Sequence, residues 1–206
     1  MLRSDYSTFE IRLTTGNVSS SLEANGGKPV TQHGHVYSST NPLPTLTDSK
    51  TELGPKSGPF PSRFLSQLTN LSPATTYTLR AYATNEVGTA YGSSVITFRT
   101  ETPIAPILSS QLTLTGVSAV SIGVGFNIGY SSELPITQHG LVYSTTDKSP
   151  SITNPTLALG PTNGPFNLQV NALLKDLTEK TTYYVRGFAT NAKGTSYTGV
   201  LEVTTN

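Results

Sequence analysis

The 206-residue sequence contains no cysteine and no tryptophan, and only 12% of its residues are charged. Without cysteine the chain has no disulfide, no thiol nucleophile and no thiolate ligand for a metal. The formal net charge of +1 provides no global field that would favour nucleic acid or an acidic membrane surface. No apolar stretch approaches the length of roughly 18 residues that a membrane-spanning helix requires. We therefore expect neither a nucleic-acid partner nor insertion into a membrane.

The residue types that are present favour a secreted β-protein. The sequence has 18 Gly and 14 Pro, with 10 Tyr and 7 Phe as bulky core material. β-Branched and aromatic residues recur at regular spacing, which argues against disorder. Low charge together with many hydroxyl side chains is typical of extracellular β-proteins, and the absence of cysteine is compatible with a secreted bacterial protein. The length fits one large domain or two domains of about 100 residues each.

An internal repeat runs through the chain. The tetrapeptide Thr-Gln-His-Gly at residues 31–34 recurs at residues 137–140, an offset of 106 residues. A gap-free offset over this length identifies a duplication, so we predict two tandem domains, residues 1–102 and residues 103–206. The same offset relates residues 36–38 to 142–144, 54–55 to 160–161, 58–60 to 164–166, 75–77 to 181–183, 83–85 to 189–191 and 88–89 to 194–195.

The beginnings of the two copies are less similar. Matching the first hydrophobic alternation of each copy predicts extra residues in the first copy around residues 22–27, whose Gly and Asn content indicates a loop. Between the copies, Pro103 and Pro106 favour an extended, semi-rigid connector. The residues matched in this way are Phe9, Ile11 and Leu13 in the first copy and Val120, Ile122 and Val124 in the second.

Alternation with a period of two residues predicts β-strands, and no segment shows the apolar stripe of a helix. Residues 77–84 and residues 183–190 show this alternation most clearly. Because successive side chains of a strand point to opposite faces, one alternate set in each segment is predicted to lie in the core. Short strands separated by frequent turns indicate a sandwich or barrel. The predicted core residues are Tyr77, Leu79, Ala81 and Ala83, and Tyr183, Val185, Gly187 and Ala189.

The segment Leu-Ser-Pro-Ala-Thr-Thr-Tyr at residues 71–77, followed by Ala-Thr-Asn at residues 83–85, resembles the E–F corner and F strand of a fibronectin type III domain. Residues 177–183 and 189–191 repeat the pattern. The resemblance covers nearly the whole chain, twice. It implies an all-β fold of two tandem immunoglobulin-like (fibronectin type III) β-sandwiches.

The same resemblance implies structural roles for three kinds of residue. In that family a tyrosine forms the tyrosine corner, in which its hydroxyl bonds to the backbone of the E–F turn while its ring packs in the core. An asparagine would tie the F–G turn through hydrogen bonds from side chain to backbone, and a glycine would supply a positive φ. In this sequence these residues are Tyr77 and Tyr183, Asn85 and Asn191, and Gly88 and Gly194.

The chain departs from the family in one respect, since the family usually carries a tryptophan in strand B. The Gln-His-Gly-x-Val-Tyr-Ser strand and the Thr-Asn-x-x-Gly-Thr-x-Tyr ending are most similar to the divergent subtype found in large surface and secreted proteins of Bacteroidetes-type bacteria. Other residues must fill the core, and we expect these to be Phe9, Ile11, Val120, Ile122 and Phe126.

The histidines, carboxylates and serines are the residues that could bind a metal or take part in catalysis. His33 and His35 lie on one face of a predicted strand, but the second copy has Leu141 in place of His35 and retains only His139. A metal site requires several converging ligands, so structural histidines are favoured and no metal or cofactor is expected. No pair of carboxylates recurs between the copies, and neither a Gly-x-Ser-x-Gly elbow nor a phosphate-binding loop is present. The sequence therefore predicts a protein that is not an enzyme.

The aromatic residues suggest one possible binding surface. If the second alternate set of strand F and the set of the neighbouring strand that contains His33, His35 and Tyr37 both face solvent, each module presents a sheet face lined by aromatic and arginine side chains. Such a face would suit a sugar ring or a protein partner. Two alternatives remain: His33 and Tyr37 could point inward in place of the missing tryptophan, or the aromatic rings could simply cover the sheet beside the arginine stems. The candidate ligand-binding residues are Arg80, Tyr82, Tyr184, Arg186 and Phe188.

The module is repeated, but the two copies share no recognisable set of catalytic or metal-binding residues. This is what a spacer requires. The sequence therefore predicts a monomeric, structural or adhesive module pair from a larger extracellular or cell-surface protein, with a protein or glycan at the cell surface as its partner. The alternative is a carbohydrate-binding accessory module of a polysaccharide-processing protein.

Overall fold

The computed structural model describes residues 2–3, 10–129, 133–162 and 167–206, and every regular element within these ranges is a β-strand. The chain divides into two compact units, Met1–Thr102 and Pro103–Asn206. In the described ranges no helix is long and apolar enough to cross a membrane. Phe9, which was predicted to lie in the core, falls outside the described residues, as does the repeat segment at 164–166.

The first unit forms two antiparallel sheets. In one sheet β3 pairs with β1, β2 and β6, and in the other the order is β5-β4-β7-β8, with β9 also pairing with β7. The strands are β1 (Leu2–Arg3), β2 (Glu10–Ile11), β3 (Gly16–Leu22), β4 (Gln32–Ser38), β5 (Ser49–Lys50), β6 (Ser62–Leu68), β7 (Thr76–Asn85), β8 (Gly88–Tyr91) and β9 (Ile96–Arg99).

The second unit repeats this arrangement. One sheet has the order β10-β11-β14, and the other has the order β13-β12-β15-β16, with β17 also pairing with β15. The chain is therefore all-β and consists of two tandem immunoglobulin-like β-sandwiches, as the sequence predicted. The strands are β10 (Thr113–Val117), β11 (Ile122–Ile128), β12 (Ile136–Ser144), β13 (Thr156–Thr162), β14 (Leu168–Leu174), β15 (Thr182–Asn191), β16 (Gly194–Tyr197) and β17 (Leu201–Thr204).

The predicted core alternation of the longest strands is confirmed. Both β7 and β15 place the predicted set inward, since all eight of those residues are buried. The inward residues pack against the apolar face of the opposite sheet, which in the second unit includes Ile122, Val124 and Phe126. The expectation for Val120 is wrong, because Val120 lies in the turn before β11 and is 55% exposed.

The predicted insertion in the first copy is wrong. Gly16 pairs with Leu68 in the first unit, and Ile122 pairs with Leu174 in the second, so Ile122 corresponds to Gly16 with the same offset of 106 residues. The pairing of Ile11 with Gly16 likewise corresponds to that of Val117 with Ile122. Alternation alone cannot distinguish the first strand of a sandwich from the second, and it matched Ile11 to the wrong strand.

The offset does change near the end of each unit. Tyr77 pairs with Phe98, whereas Tyr183 pairs with Val203, so the equivalent of Val203 lies 105 residues earlier. The first unit therefore has one additional residue in the turn between β8 and β9. This turn lies between strands, so the extra residue leaves the paired register of both units intact.

Candidate functional site

The repeated Thr-Gln-His-Gly motif forms a clasp between β4 and the chain that follows β5. His33 Nδ1 lies 2.8 Å from the carbonyl oxygen of Gly54, and because a carbonyl only accepts, Nδ1 carries the proton. Gln32 Oε1 accepts hydrogen bonds from the amides of His33 and Gly54, at 3.0 and 2.6 Å. Burial lowers the pKa of His33, against the opposite effect of the Gly54 hydrogen bond, so the clasp holds a neutral imidazole.

The second unit contains the same clasp. His139 Nδ1 donates to the carbonyl oxygen of Gly160 at 2.8 Å, and Gln138 Oε1 accepts from the amides of His139 and Gly160, at 3.0 and 2.7 Å. His33 and His139 are both buried. The repeated histidine is therefore a structural residue in each module, with its ring facing the interior.

The glycine of the motif is required by a close backbone approach. A Cβ atom at Gly34 would lie 2.2 Å from the carbonyl oxygen of Thr51, and one at Gly140 would lie 1.9 Å from that of Leu157. Neither oxygen can move away cheaply, because each belongs to the backbone. The backbone of residues 51–53 beside β4, and that of β13 beside β12, thus comes too close to this glycine for any side chain to fit.

The prediction that Tyr82 and Phe188 face solvent as ligand-binding residues is wrong. Tyr82 is 0% exposed and Phe188 is 2% exposed. Gly34 is the cross-strand partner of Tyr82, and the Thr51 backbone that covers Gly34 also accepts a hydrogen bond of 2.9 Å from the Tyr82 hydroxyl. Burial, with a smaller contribution from the charge of Glu52, raises the pKa of Tyr82 to about 12. Both rings are covered by their own module.

Arg80 is engaged within its own module. Its Nε donates to the carbonyl oxygen of Pro44 at 2.6 Å, and its guanidinium carbon lies 4.2 Å from the centroid of the Tyr91 ring. The Tyr91 hydroxyl in turn accepts a hydrogen bond of 3.1 Å from the amide of Leu46. The pair of Arg80 and Tyr91 therefore fixes the loop between β4 and β5 to the outer face of the sheet.

Arg186 has an equivalent place in the second unit. Its guanidinium carbon lies 4.6 Å from the centroid of the Tyr197 ring, and its Nε donates to the carbonyl oxygen of Thr198 at 2.8 Å. Tyr197 accepts from the amide of Ile152 at 3.1 Å, as Tyr91 does from Leu46. Sequence reasoning did not assign these two tyrosines a role, although the repeated Gly-Thr-x-Tyr ending contained the signal.

Tyr184 is the predicted ligand-binding aromatic that keeps access to solvent. It is half-buried on β15, where it pairs with Ser144 on one side and with Glu202 on the other. The structure does not bring Tyr184 together with Phe188 as a single aromatic platform, because Phe188 is covered. Any ligand-binding surface on this sheet is therefore much smaller than the sequence suggested.

His35 forms a buried polar network that is specific to the first unit. Its Nε2 lies 2.7 Å from Ser20 Oγ and its Nδ1 lies 2.8 Å from Ser66 Oγ. Thr51 Oγ1 extends the network, at 2.8 Å from Ser66 Oγ and 2.9 Å from the amide nitrogen of His35. Burial, with a smaller contribution from His33, lowers the pKa of His35 to about 3. The histidine is 0% exposed, so no substrate reaches it.

Each E–F turn is tied to the tyrosine that follows it. The amide of Ser72 donates to the Tyr77 hydroxyl oxygen at 2.9 Å, and the amide of Thr178 donates to that of Tyr183 at 3.0 Å. Both rings are buried in their cores. The hydroxyl oxygen is thus the acceptor, and the turn supplies the donor.

Asparagine side chains order the F–G turns, which join β7 to β8 in the first unit and β15 to β16 in the second. Asn85 Oδ1 accepts from the amide of Val87 at 2.9 Å, and Asn191 Oδ1 accepts from that of Lys193 at 2.8 Å. The turns close at Gly88 and Gly194, whose φ angles are 150° and 142°. Each of these side chains has a partner within its own module.

No group of three or more His, Asp or Glu side chains in the described residues is placed to hold a metal ion. The repeated histidines, the two arginines, Tyr82 and the two E–F tyrosines are instead hydrogen-bonded to backbone groups of the same module. The arrangement supplies rigidity to the loops beside the sheet. Ser20 and Ser66 do contact the His35 ring, but all three side chains are buried and have no access to a substrate.

No protein-family model matches the chain, and no curated protein matches its sequence. Among solved structures, the chain is similar to the FN1–FN3 domains of chicken CNTN1, with 12% identity and a TM-score of 0.38 over 99% of this chain and 67% of that one.

Proposed function

We propose that the chain is a non-catalytic spacer, structural or adhesive in role, from a larger extracellular or cell-surface protein of Bacteroidetes-type bacteria. Fibronectin type III-like domains are commonly structural or interaction modules without catalytic activity. The low charge, the many hydroxyl residues and the absence of cysteine support the extracellular location. The repeated motifs support the role of a spacer, for the reason given next.

The single observation that supports this proposal best is where the repeated polar residues make their contacts. In both units the histidine clasp, the Arg–Tyr pair and the tyrosine of the E–F turn bond to backbone of the same module. A motif that is repeated for binding would leave its polar groups directed toward a partner. These groups instead hold loops onto the sheets, which is the requirement of a stiff module that keeps other domains apart.

Adhesion through a protein-interaction face is compatible with the same fold. The carbohydrate-binding alternative has less support than the sequence suggested, because Tyr82 and Phe188 are covered. If sugars bind on this sheet, Tyr184 must provide the ring on which they stack. Tyr184→Ala is therefore the variant that separates the two proposals.

The test is a glycan-array screen and a pull-down from the bacterial cell surface, with the full chain and with its Tyr184→Ala variant. We expect no glycan signal from either protein. A reproducible glycan signal that Tyr184→Ala removes would replace the spacer proposal by carbohydrate binding. Turnover of any polysaccharide by the pure chain would contradict the non-catalytic assignment.

A further inference from the structure

A small pocket lies at one end of the first unit, beside the turn between β7 and β8, and we call it the entry pocket. It has a volume of about 100 Å³. Small and apolar residues form much of its wall, and the side chain of Asn85 adds a group that can both donate and accept hydrogen bonds. The lining includes Leu22, Val30, Ala83, Asn85, Gly88 and Ala90.

The second unit contains the equivalent lining. Asn191 pairs with Gly194 across the turn between β15 and β16, as Asn85 pairs with Gly88 in the first unit. Three of the six positions have the same residue in both units, and the other three have residues of similar size. With the offset of 106 residues, the six equivalents are Ile128, Ile136, Ala189, Asn191, Gly194 and Ser196.

In the second unit, the segment that leads into the sandwich is bound at this place. Asn191 Nδ2 donates to the carbonyl oxygen of Ile104 at 2.9 Å, and Pro106 is buried. Directly after this segment, Leu108 forms a β-bridge with Ile128 of the lining. Proline fixes its own φ and keeps the preceding residue extended, so the segment needs little ordering before it binds.

The same residue types differ in burial between the two units. Asn191 is 4% exposed and Gly194 is half-buried, whereas Asn85 is half-buried and Gly88 is exposed. Because the residues are identical, the difference comes from the chain that lies against them. The greater burial in the second unit accompanies the bound segment at residues 104–106.

The strand pairing shows which positions would occupy the entry pocket of the first unit. Leu2 pairs with Leu22, as Leu108 pairs with Ile128, so the offset of 106 residues also holds here. Residues 104–106 therefore correspond to the three positions immediately before Met1 in a longer chain.

We propose that the entry pocket is a docking site for an extended, uncharged peptide that ends in proline, with the chemistry of Ile-Ala-Pro at residues 104–106. Asn85 Nδ2 donates one hydrogen to the carbonyl oxygen of Asn25 at 3.0 Å, and an amide has a second hydrogen for the peptide carbonyl. Lys28 and Glu86 form an ion pair of 2.6 Å between the same loop and turn, so no net charge there selects a charged peptide.

Docking deepens the spacer proposal and rests on it for the source of the peptide, which is the part of the larger protein that leads into the first unit. A segment held along the end of the sandwich stiffens the joint between consecutive modules, because it loses the freedom of an unbound linker. The pocket itself can be tested without knowledge of the larger protein.

The experiment adds Thr-Pro-Ile-Ala-Pro, the sequence of residues 102–106, directly before Met1 of the full chain. A chain with Gly-Ser-Gly-Ser-Gly at the same place is the matched control. Tethering gives the peptide a high local concentration, so a weak contact becomes measurable. We expect the proline-containing extension to shift the ¹⁵N signals of the Asn85 side chain and of the Gly88 and Ala90 amides, with Asn191 and Gly194 unchanged.

Chemical denaturation followed by NMR signals of each unit gives the size of the effect. The proline-containing extension should lower the unfolding equilibrium constant of the first unit by about threefold to tenfold, the range expected for one net hydrogen bond. Asn85→Asp keeps the oxygen that accepts from the Val87 amide but removes the Nδ2 donor. In this variant the extension should no longer stabilise the unit, whatever the variant does to the unextended chain.

Three results would overturn the proposal. The first is an extension that leaves the signals of the entry pocket unchanged. The second is a Gly-Ser control that shifts or stabilises the first unit equally, since the contact would then not depend on the peptide. The third is a stabilisation that persists in Asn85→Asp. None of these results bears on the spacer proposal, because the glycan-array and pull-down test does not depend on the entry pocket.

Discussion

The two units have the same arrangement of strands, but different side chains fill the middle of each sandwich. In the first unit a neutral histidine is hydrogen-bonded between two serines, and a threonine extends the network. In the second unit the same positions are apolar. With the offset of 106 residues, Ser20, His35, Thr51 and Ser66 correspond to Phe126, Leu141, Leu157 and Ala172.

This difference changes the shape of the core. The buried apolar residues of the first unit form two separate clusters, one around Val18 and Leu79 and one around Leu22 and Phe64. In the second unit they form a single cluster. The polar network thus interrupts the apolar core, and the sandwich tolerates this because the hydrogen-bonding capacity of the histidine ring is satisfied. The same fold accepts either the polar set or the apolar set at these four core positions, provided that all four residues change together.

The largest expected effect comes from moving the histidine into the wrong unit. Leu141→His removes a fully buried leucine and places an imidazole among Phe126, Leu157 and Ala172, none of which offers a side-chain hydrogen bond. We expect the free energy of unfolding of the second unit to fall by about 3–5 kcal/mol, from lost apolar burial and an unsatisfied polar ring. Chemical denaturation followed by NMR signals of each unit measures this.

The reverse change, His35→Leu, is the matched control and should lower the free energy of unfolding by less than Leu141→His does. Ser20 loses its partner, but Ser66 keeps its bond to Thr51. We expect a loss of about 1–3 kcal/mol in the first unit. If His35→Leu is as damaging as Leu141→His, the two fillings are not interchangeable in the way that the comparison implies.

The second prediction concerns acid. The pKa of His35 is about 3 in the folded unit because the ring is buried, and about 6.5 in an unfolded chain. Below about pH 6.5 the unfolded chain binds a proton that the folded unit rejects, so stability is full above this pH and declines as the pH falls toward 3. Between about pH 6.5 and pH 3, the free energy of unfolding of the first unit falls by up to about 1.4 kcal/mol for each pH unit. The second unit has Leu141 and lacks this contribution.

The groups packed around His35 do not oppose this effect. The ring faces the hydroxyls of Ser20 and Ser66 and the Phe64 ring, with His33 as its titratable neighbour. Denaturation followed separately for each unit, at pH 7 and at pH 4.5, should show an additional loss in the first unit that His35→Leu removes. An additional loss of the same size in the variant would show that other groups cause it.

Much of the fold was predictable from the sequence because the signals were local. Alternation identified the inward residues of β7 and β15, and the repeat identified two copies of one sandwich. The pairing of Gly16 with Leu68 was not predictable, because register depends on which strands meet. Alternation in a single segment contains no information about its partner strand.

The candidate site was less predictable for a related reason. Tyr82 alternates with core residues and therefore has the pattern of an exposed side chain, yet the backbone of Thr51 covers it. This covering depends on a close approach that only Gly34 permits. Sequence shows the glycine but not which segment approaches it, so the burial of Tyr82 required the tertiary structure.

The third prediction concerns the size of the ring that fills the second core. Phe126 corresponds to Ser20, and a Cβ atom at Gly187 would lie 3.0 Å from the Phe126 ring, whereas the first unit has Ala81 opposite its smaller serine. Gly187→Ala should therefore destabilise the second unit by about 1–3 kcal/mol through overpacking. Thermal melting of the single variant, and of the variant combined with Phe126→Leu, measures this. If Phe126→Leu does not reduce the destabilisation caused by Gly187→Ala, the size of the Phe126 ring is not its cause.

The smallest expected effect concerns a feature that the units share. Tyr77→Phe and Tyr183→Phe keep the buried ring but remove the acceptor of the Ser72 and Thr178 amides. Those amides belong to turn residues that are exposed, so water can replace part of the lost bond. We expect each variant to lower the free energy of unfolding of its own unit by about 1 kcal/mol, and by a similar amount in both, because the bond is nearly identical. Denaturation curves that coincide with the parent would show that the hydroxyl contributes nothing to stability. A large difference between the two variants would show that the polar network of the first unit extends its influence as far as the E–F turn.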